Sequence, residues 1–261
     1  MSTIRKTLHN LKKHQFLFEE LVKRDFKKKY KRTILGIGWS LLSPLLTLLV
    51  LKLVFSNLIG NSTPHFTVYI FCGNVVWFYF SEATKGGMKA LMDNASIFTK
   101  VNVPKYLFIL SKNVQALISF LLTMVILFIF VSFDTLHFSW KFLMLFYPMG
   151  LLLIFNIGIG MILSAAFVFF RDIEYLYDVF LRLLLYCSAI FYNVNRFTPE
   201  AQRLFLLNPV YLFIKYFRCI IIDAAIPSIQ FHGLMLLYTF FSFFVGCLMY
   251  KKWNTRFLYY V

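Results

Sequence analysis

The chain has 261 residues, and its composition excludes a soluble globular domain, because 60% of the residues are hydrophobic, 20% are aromatic and only 15% are charged. The mean hydropathy of +0.71 indicates that most of the outer surface faces lipid. A formal net charge of +16 could suggest nucleic acid as a partner. Lys and Arg, however, lie between or beside the apolar stretches, where they orient membrane segments and attract anionic headgroups, so no nucleic acid is expected.

The first predicted element is a basic amphipathic helix that precedes every long apolar stretch. Its apolar residues recur at steps of three or four, at Phe18, Leu21, Val22, Phe26 and Tyr30. The opposite face is rich in Lys, Arg and Glu, which suits a helix lying in the cytoplasmic membrane interface; an ordinary soluble helix surface is the alternative. We assign residues 1–33 to this cytoplasmic interfacial segment and residues 34–261 to a transmembrane domain.

Six stretches are apolar and long enough for membrane-spanning helices, which need about 20 residues. They are Ile34–Ile59, Phe66–Ala83, Tyr106–Phe133, Phe142–Phe170, Leu176–Tyr192 and Leu234–Tyr250. A seventh candidate, Val210–Ile222, is short and carries Lys215 and Arg218. Six spans with both termini in the cytoplasm put most Lys and Arg inside, whereas seven would put the basic tail outside. The sequence therefore predicts an all-α, multi-pass protein of the plasma membrane.

The segment between the fifth and sixth spans contains two signals for helix starts. Thr198-Pro199-Glu200 combines a capping residue, a proline at the first helical position and an acid in the first turn. Asn208-Pro209 then breaks this helix and begins another through Val210–Ile222. Two short helices that dip into the outer leaflet and return would satisfy their backbone groups without crossing, so we predict re-entrant helices here.

Catalytic and metal-binding motifs are absent from the sequence. There is no GxxxxGK[ST], HExxH or GxSxG pattern, the five histidines are scattered, and the four cysteines are isolated within apolar runs. We therefore expect no enzyme activity, no metal and no cofactor on this chain. Lys52 and Glu82 lie within predicted spans, each toward one end, where snorkelling to the interface is the alternative to a place in a transport channel.

Four motifs follow one another in the order that a known permease family shows. They are RDFKKKYKRTILGIGWSLLSPL at the first span, WFYFSEATKGGMKALMDNASIFTKVNVPKYLFILS at the second span and its loop, Phe170-Arg171-Asp172-Ile173, and Leu207-Asn208-Pro209 followed by Arg218. Together they resemble the ABC-2-type polysaccharide exporter permeases, which include O-antigen, capsule and teichoic-acid transport permeases. One departure is Ser188-Ala189, where that family usually has Ser-Pro.

The resemblance implies partners and a function. It implies a homodimer with two copies of a separate ATP-binding subunit, which would hold ATP and Mg. It implies a coupling helix seated on that ATPase, at Asn94, Ile97, Phe98 and Pro104, with an ordinary connecting loop as the alternative. It further implies that Thr198–Asp223, with Asn208, Pro209 and Arg218, forms re-entrant helices near the exit.

The function expected is export of lipid-linked polysaccharide across the plasma membrane. An ABC-2 permease for a drug or a simple lipid is the nearest alternative, and a secondary carrier or channel is another. A membrane-embedded acyl- or glycosyltransferase would need clustered His or acidic residues, which the sequence lacks.

Cations cluster between the amphipathic helix and the first span, at the level of the cytoplasmic headgroups. We assign the substrate entrance to Lys27, Lys28, Lys29, Lys31, Arg32, Gly36 and Trp39. Several cations together could hold the concentrated negative charge of a diphosphate-lipid headgroup, and glycine would let the backbone move as it enters. Lys and Arg at such positions also orient the protein and attract anionic lipid, which is the alternative explanation.

Overall fold

The computed structural model describes residues 13–31, 35–36, 38–59, 64–134, 136, 138–258 and 260, and within these ranges the protein is all-helical. The α-helices are α1 (Gln15–Tyr30), α2 (Gly38–Ile59), α3 (Phe66–Asp93), α4 (Ala95–Phe98), α5 (Tyr106–Phe133), α6 (Phe146–Phe169), α7 (Ile173–Cys187), α8 (Pro199–Phe205), α9 (Pro209–Ile221) and α10 (Ile229–Trp253). Short 3-10 helices cover Trp140–Leu145, Val194–Arg196 and Arg256–Leu258.

Four segments of the described chain are long and apolar enough to cross a membrane, which makes this a multi-pass membrane protein. They are Gly38–Phe55 in α2, all of α5, Trp140–Phe169 ending in α6, and all of α10. The α8–α9 pair passes the same test jointly but bends by 106°, as a broken span or a re-entrant pair would.

The helices at the predicted second and fifth spans do not pass this test. α3 has 28 residues and is long enough, but its C-terminal half carries Glu82, Lys85 and Lys89. α7 has 15 residues, about 22 Å at 1.5 Å per residue, which is short of the ~30 Å hydrocarbon core. It ends at Cys187, before the end of the predicted apolar run.

α3 is the central helix of the fold. It packs along α5 on one side and α6 on another, while α10 packs on α6 and α9 is enclosed beside α3. Aromatic side chains fill this core: the rings of Phe155 and Phe213 lie 5.7 Å apart, and those of Phe120 and Phe217 lie 6.3 Å apart. α2 and α7 contribute less to this core than the other long helices, because each buries only two described side chains.

The amphipathic helix predicted before the first span is confirmed as a helix, α1. Its apolar stripe packs on α5, and Leu21 is buried in a cluster that includes Phe108 and Phe257. Lys27 and Lys28 remain exposed on the other side. The periodicity of the apolar residues therefore matches a real packing face.

Both predicted helix starts between Ile190 and Ile222 are also confirmed. The Thr198 hydroxyl accepts a hydrogen bond from the Ala201 amide at 3.4 Å. The side-chain oxygen of Asn208, Oδ1, accepts a hydrogen bond from the Val210 amide at 3.0 Å. Proline occupies the first turn of α9, as it does in α8. The bend between the helices lies at the second cap, where Asn208 and Pro209 begin a new helix shortly after α8 ends.

Candidate functional site

A cavity of about 640 Å³ lies among α1, α2, α3, α5 and α7. Its lining includes Lys29 and Trp39, which were predicted as entrance residues. It also includes Glu82, which was predicted as a possible channel residue from its position within a span. Residues that are far apart in sequence and were predicted on different grounds therefore meet at one site. Of the other predicted entrance and channel residues, those that the structure describes do not line it.

An ion pair joins α1 to the cavity wall. The Lys29 Nζ donates to Glu82 Oε1 at 2.6 Å and to the Ser119 hydroxyl at 3.1 Å. The Gln115 amide donates to the same Glu82 oxygen at 2.8 Å. Two donors thus hold the Glu82 carboxylate, whose side chain is 31% exposed. Glu82 thus lies in the wall of the cavity.

Two further ion pairs tie α3 to α7, and sequence reasoning missed them. The Lys85 Nζ lies 2.7 Å from Asp178 Oδ1, and Lys89 pairs with Glu174. The lysines are four residues apart on α3 and the acids four apart on α7, so both pairs use matching helix faces. This matched spacing is the signal that could have revealed them. Arg182, one turn beyond Asp178, also lines the cavity.

Aromatic rings and hydroxyls alternate around the same cavity. The rings belong to Trp39, Trp77, Phe78, Tyr79 and Phe120, and the hydroxyls to Ser40, Ser43, Ser81, Ser119 and Thr123. Rings offer apolar faces, and hydroxyls donate and accept single hydrogen bonds. This lining suits a ligand with apolar C–H faces and many polar edges, next to cations that suit an anionic group.

The two outer walls of the cavity leave their apolar surfaces uncovered. On α2 the exposed side chains include Leu49, Val50 and Leu53, and on α7 they include Val179 and Leu183. Lipid or another protein surface must cover these faces, since exposed apolar patches of this size are unusual in water.

The remaining predicted entrance and channel residues lie elsewhere. Lys27, Lys28 and Lys31 are exposed and do not line the cavity, and Lys52 is exposed on α2. Gly36 has a φ of +51°, a left-handed conformation that favours glycine at this turn. Arg32 lies outside the described residues.

The predicted coupling loop contains a short helix, α4, but some of its side chains point into the protein. Asn94 is completely buried and Phe98 is 5% exposed, with its ring 5.9 Å from that of Phe108. Ile97 and Pro104 are partly exposed. Direct contact with another subunit is thus open to Ile97, not to Asn94 or Phe98. The fully exposed residues of the loop are Ser96, Thr99, Lys100, Val101 and Asn102.

A buried lysine fastens the end of the chain beside this loop. Lys105 is 8% exposed, donates to the Asn254 backbone oxygen, and lies 5.8 Å from the ring centroids of both Phe98 and Phe257. Burial lowers the pKa of the Lys105 ammonium. The C-terminal 3-10 helix is therefore part of the same buried cluster as α4.

The residues predicted near the exit anchor α9. The buried Arg218 guanidinium donates to the Tyr69 oxygens and to the backbone oxygens of Ala189 and Ile190, at 2.9–3.2 Å. The Asn208 amide donates to Cys187 O and Ser188 Oγ. Ala189 has a φ of +51°, which proline cannot adopt, so Ser188-Ala189 ends α7 in a way that Ser-Pro could not.

Metal-ligating side chains do not cluster in the described ranges, where no three His, Cys, Asp or Glu come together. Four ionisable groups of the cavity form ion pairs instead, Lys29 with Glu82 and Lys85 with Asp178.

Comparison with known proteins identifies the family. Residues 17–222 match the ABC-2 type transporter family. The chain is 27% identical over 252 residues to the O-antigen export system permease protein RfbA of Klebsiella pneumoniae, covering 93% of this chain and 95% of that protein. It is 26% identical over 231 residues to RfbA of Myxococcus xanthus (85% and 86% covered) and 22% identical over 240 residues to the polysialic acid transport protein KpsM of Escherichia coli (89% and 92%). Because the family match spans most of its length, the chain belongs to the ABC-2 type transporter family.

Proposed function

We propose that this chain is the membrane-spanning permease subunit of an ABC exporter that moves lipid-linked polysaccharide across the plasma membrane. Family membership and relatives named for O-antigen export and polysialic acid transport support the assignment. The observation that carries it is the cavity, where the cations Lys29, Lys85 and Arg182 adjoin rings and hydroxyls. O-antigen, capsular polysaccharide and teichoic acid all have the required chemistry.

The cavity lining suggests how such a substrate would be held. The phosphorylated lipid end would compete with Glu82 and Asp178 for the cations, because phosphate oxygens are strong acceptors for Lys and Arg. Sugar rings would stack their C–H faces on Trp39, Trp77 and neighbouring rings. Stacking does not demand fixed hydrogen bonds, so a polymer could advance without being trapped.

We propose six spans, with α1 in the cytoplasmic interface, both termini inside and the α8–α9 pair re-entrant. The spans would be α2, α3, α5, α6 with its preceding turn, α7 with the residues that follow it, and α10. The distribution of Lys and Arg supports this orientation. Asn208 at the start of α9 and Arg218 near its end both bond to residues 187–190. This supports a helix that stays beside the end of α7 without crossing the membrane.

A second copy of the chain is the proposed cover for the apolar faces of α2 and α7. Two copies would enclose their cavities between them and shield both faces from water. ATP and Mg would bind to a separate ATP-binding subunit, since the chain lacks a phosphate-binding loop motif. The proposed ATPase contact consists of the partly exposed Ile97 and the exposed residues of the α4 loop, which are Ser96, Thr99, Lys100, Val101 and Asn102.

Complementation in cells tests the function. A strain without the gene should lack surface polysaccharide and accumulate lipid-linked polymer inside, and the wild-type gene should reverse both effects. Lys29→Ala should restore export poorly, and Lys23→Ala, an exposed cation of α1 outside the cavity and the predicted entrance, should restore it fully. Normal surface polysaccharide together with increased drug sensitivity in the deletion strain would favour the drug-permease alternative.

A further inference from the structure

α1 has polar attachments at two points, and each leads to a different functional region. Toward its end, Lys29 bonds to Glu82 in the cavity. Five residues earlier, Arg24 bonds to Asn94, which immediately precedes α4. The two attachments are roughly 7.5 Å apart along the helix at 1.5 Å per residue. A movement of either region therefore acts on the same helix, α1.

The attachment near α4 involves the helix backbone itself. The Arg24 Nη2 donates to Asn94 Oδ1 at 2.7 Å, and the Asn94 amide donates to Ala90 O at 2.7 Å. The Asn94 backbone oxygen accepts the first hydrogen bonds of α4, from the amides of Ile97 at 3.0 Å and Phe98 at 3.4 Å. A displacement of α4 therefore carries Asn94 with it and pulls on Arg24.

Asp25 restrains Arg24, which forms the attachment near α4. It is 4% exposed, and its carboxylate lies 2.7 Å from Arg24 Nη2 and 3.3 Å from the Lys112 Nζ on α5. Lys112 also lies 3.5 Å from Asp93 at the end of α3. Asp25 and Lys112 are the largely buried members of this charge cluster, and removing either one is costly because the other loses its compensating charge. Helices α1, α3 and α5 are thus fixed to one another here.

The attachment in the cavity is easier to break. The Lys29 and Glu82 side chains are 35% and 31% exposed, so water and anions can compete for each. An anionic group that took Lys29 from Glu82 would break the ion pair in the cavity, while Arg24, Asp25 and the apolar packing of Leu21 would still hold the rest of α1. One end of the helix can be released by a ligand, whereas the other moves with α4.

We propose that α1 is a relay between the cavity and α4, in which Arg24, Asp25 and Asn94 act as positioning residues. Occupation of the cavity by an anionic substrate shifts α1 and, through Arg24 and Asn94, the α4 loop. ATP-driven movement of α4 acts back on Lys29, because coupling between two sites is reciprocal. This inference rests on the proposed function, since it assigns the ATPase to the α4 side.

The test uses the complete complex of this chain with its ATPase, reconstituted in lipid, and measures polysaccharide exported per ATP hydrolysed. Arg24→Ala should leave hydrolysis running and lower that ratio by roughly two- to thirty-fold, the range for residues along a coupling network. Lys23→Ala is the matched control, because Lys23 is the adjacent cation of α1 and its bond is to Glu20 on the same helix. A purely structural role would lower export and hydrolysis in proportion. A ratio equal to that of the control would overturn the relay.

Two further variants strengthen the test. Arg24→Ala combined with Lys29→Ala should lose little more than the worse single variant, because both interrupt one path; additive losses would overturn the proposal. If Arg24→Ala does not assemble, Arg24→Met, which keeps most of the apolar length of the side chain but cannot donate to Asn94, takes its place with the same expectation.

A second readout does not depend on export. A cysteine placed at the exposed Ser96, with Cys187→Ala to remove the exposed native thiol, reports the α4 loop through its labelling rate. Lys29→Ala should change that rate, and adding Arg24→Ala should cancel the change. An unchanged rate would reject the relay. A wild-type complex that exports no polysaccharide would instead reject the proposed function, whatever the labelling shows.

Discussion

Lys29 on α1 donates a 2.6 Å hydrogen bond to Glu82 on α3, although 53 residues separate them in the sequence. The bond closes one side of a cavity whose other walls carry rings and hydroxyls. The same helix that supplies Lys29 is fixed beside α4 by Arg24 and Asp25.

Replacing Glu82 should affect transport more than stability. Glu82→Gln removes the charge but keeps the size, and because the pair is about one-third exposed, the free energy of unfolding should fall by less than ~1 kcal/mol. Export should fall severalfold, since Lys29 loses the partner that positions it. Melting temperature and surface polysaccharide are the measurements. Glu20→Gln, which breaks an exposed pair on α1, should change neither.

The close packing of α6 and α10 should not tolerate an added methyl group. A Cβ at Gly158 would lie 2.6 Å from the Phe243 amide nitrogen, a backbone atom that cannot move aside alone. Gly158→Ala should therefore lower the free energy of unfolding by roughly 1–3 kcal/mol. Gly150→Ala is the control on the same helix, because nothing lies within 4 Å of its added Cβ. Equal melting temperatures for both variants in detergent would contradict the packing described.

Arg218 should be needed for the structure around α9. Arg218→Ala leaves the buried backbone oxygens of Ala189 and Ile190 without their donor, and we expect a loss of roughly 2–4 kcal/mol, since each buried unbonded acceptor costs about 1–3 kcal/mol. Arg218→Lys should rescue little, because one ammonium cannot reach acceptors spread around a planar guanidinium. The exposed Arg203→Ala should be neutral in the same thermal unfolding assay. Full rescue by lysine would show that charge alone matters.

Lys105 should give the protein a stability that rises with alkaline pH. Its pKa is lowered by burial, so the unfolded chain binds more protons than the folded one between the lowered pKa and 10.5. The free energy of unfolding should therefore increase through that window as pH rises. Lys105→Met should flatten this dependence, whereas the exposed Lys100→Met should not. A steeper dependence in Lys105→Met would mean that the charged form is the favoured one in the fold.

Labelling from outside intact cells distinguishes a re-entrant α8–α9 pair from a crossing one. Glu200 lies at the start of α8 and Ser228 lies after α9, and both are exposed. Cysteines at these two positions should react with a membrane-impermeant reagent, whereas one at Thr255 should not. A crossing helix would put Glu200 and Ser228 on opposite sides. Reaction at only one of these two positions would reject the re-entrant arrangement.

Local signals in the sequence predicted local structure well. The caps at Thr198 and Asn208 act within three residues of their own positions, and the apolar stripe of α1 needs only helical periodicity. The end of α7 could not be predicted in this way, because Arg218, almost thirty residues later, takes the backbone oxygens of Ala189 and Ile190. The apolar run continues past Cys187, but the helix does not.

The candidate site was predicted only in part for the same reason. Lys29, Trp39 and Glu82 were identified singly, from a charge cluster, a motif and a position within a span. Their meeting with Asp178 and Arg182 depends on how α7 packs against α3, and the matched four-residue spacing of the lysines and the acids is the signal that the sequence holds for this packing. Phe98 illustrates the same limit, since its place in a loop gives no sign of its burial in one cluster with Phe108 of α5 and Phe257 of the C-terminal 3-10 helix.

The spacing of the ion pairs between α3 and α7 gives the cavity wall a preferred direction of sliding. The helices run antiparallel, with Lys85 opposite Asp178 and Lys89 opposite Glu174. A shift of α7 by one turn, about 5.4 Å, along the direction from Lys89 toward Lys85 would bring Glu174 opposite Lys85 and keep one pair. The same shift in reverse would also keep one pair, by bringing Asp178 opposite Lys89, but it would bring Arg182 against Lys85, where like charges repel. The wall can therefore step in one direction at the loss of a single ion pair, and electrostatic repulsion opposes the step in the other.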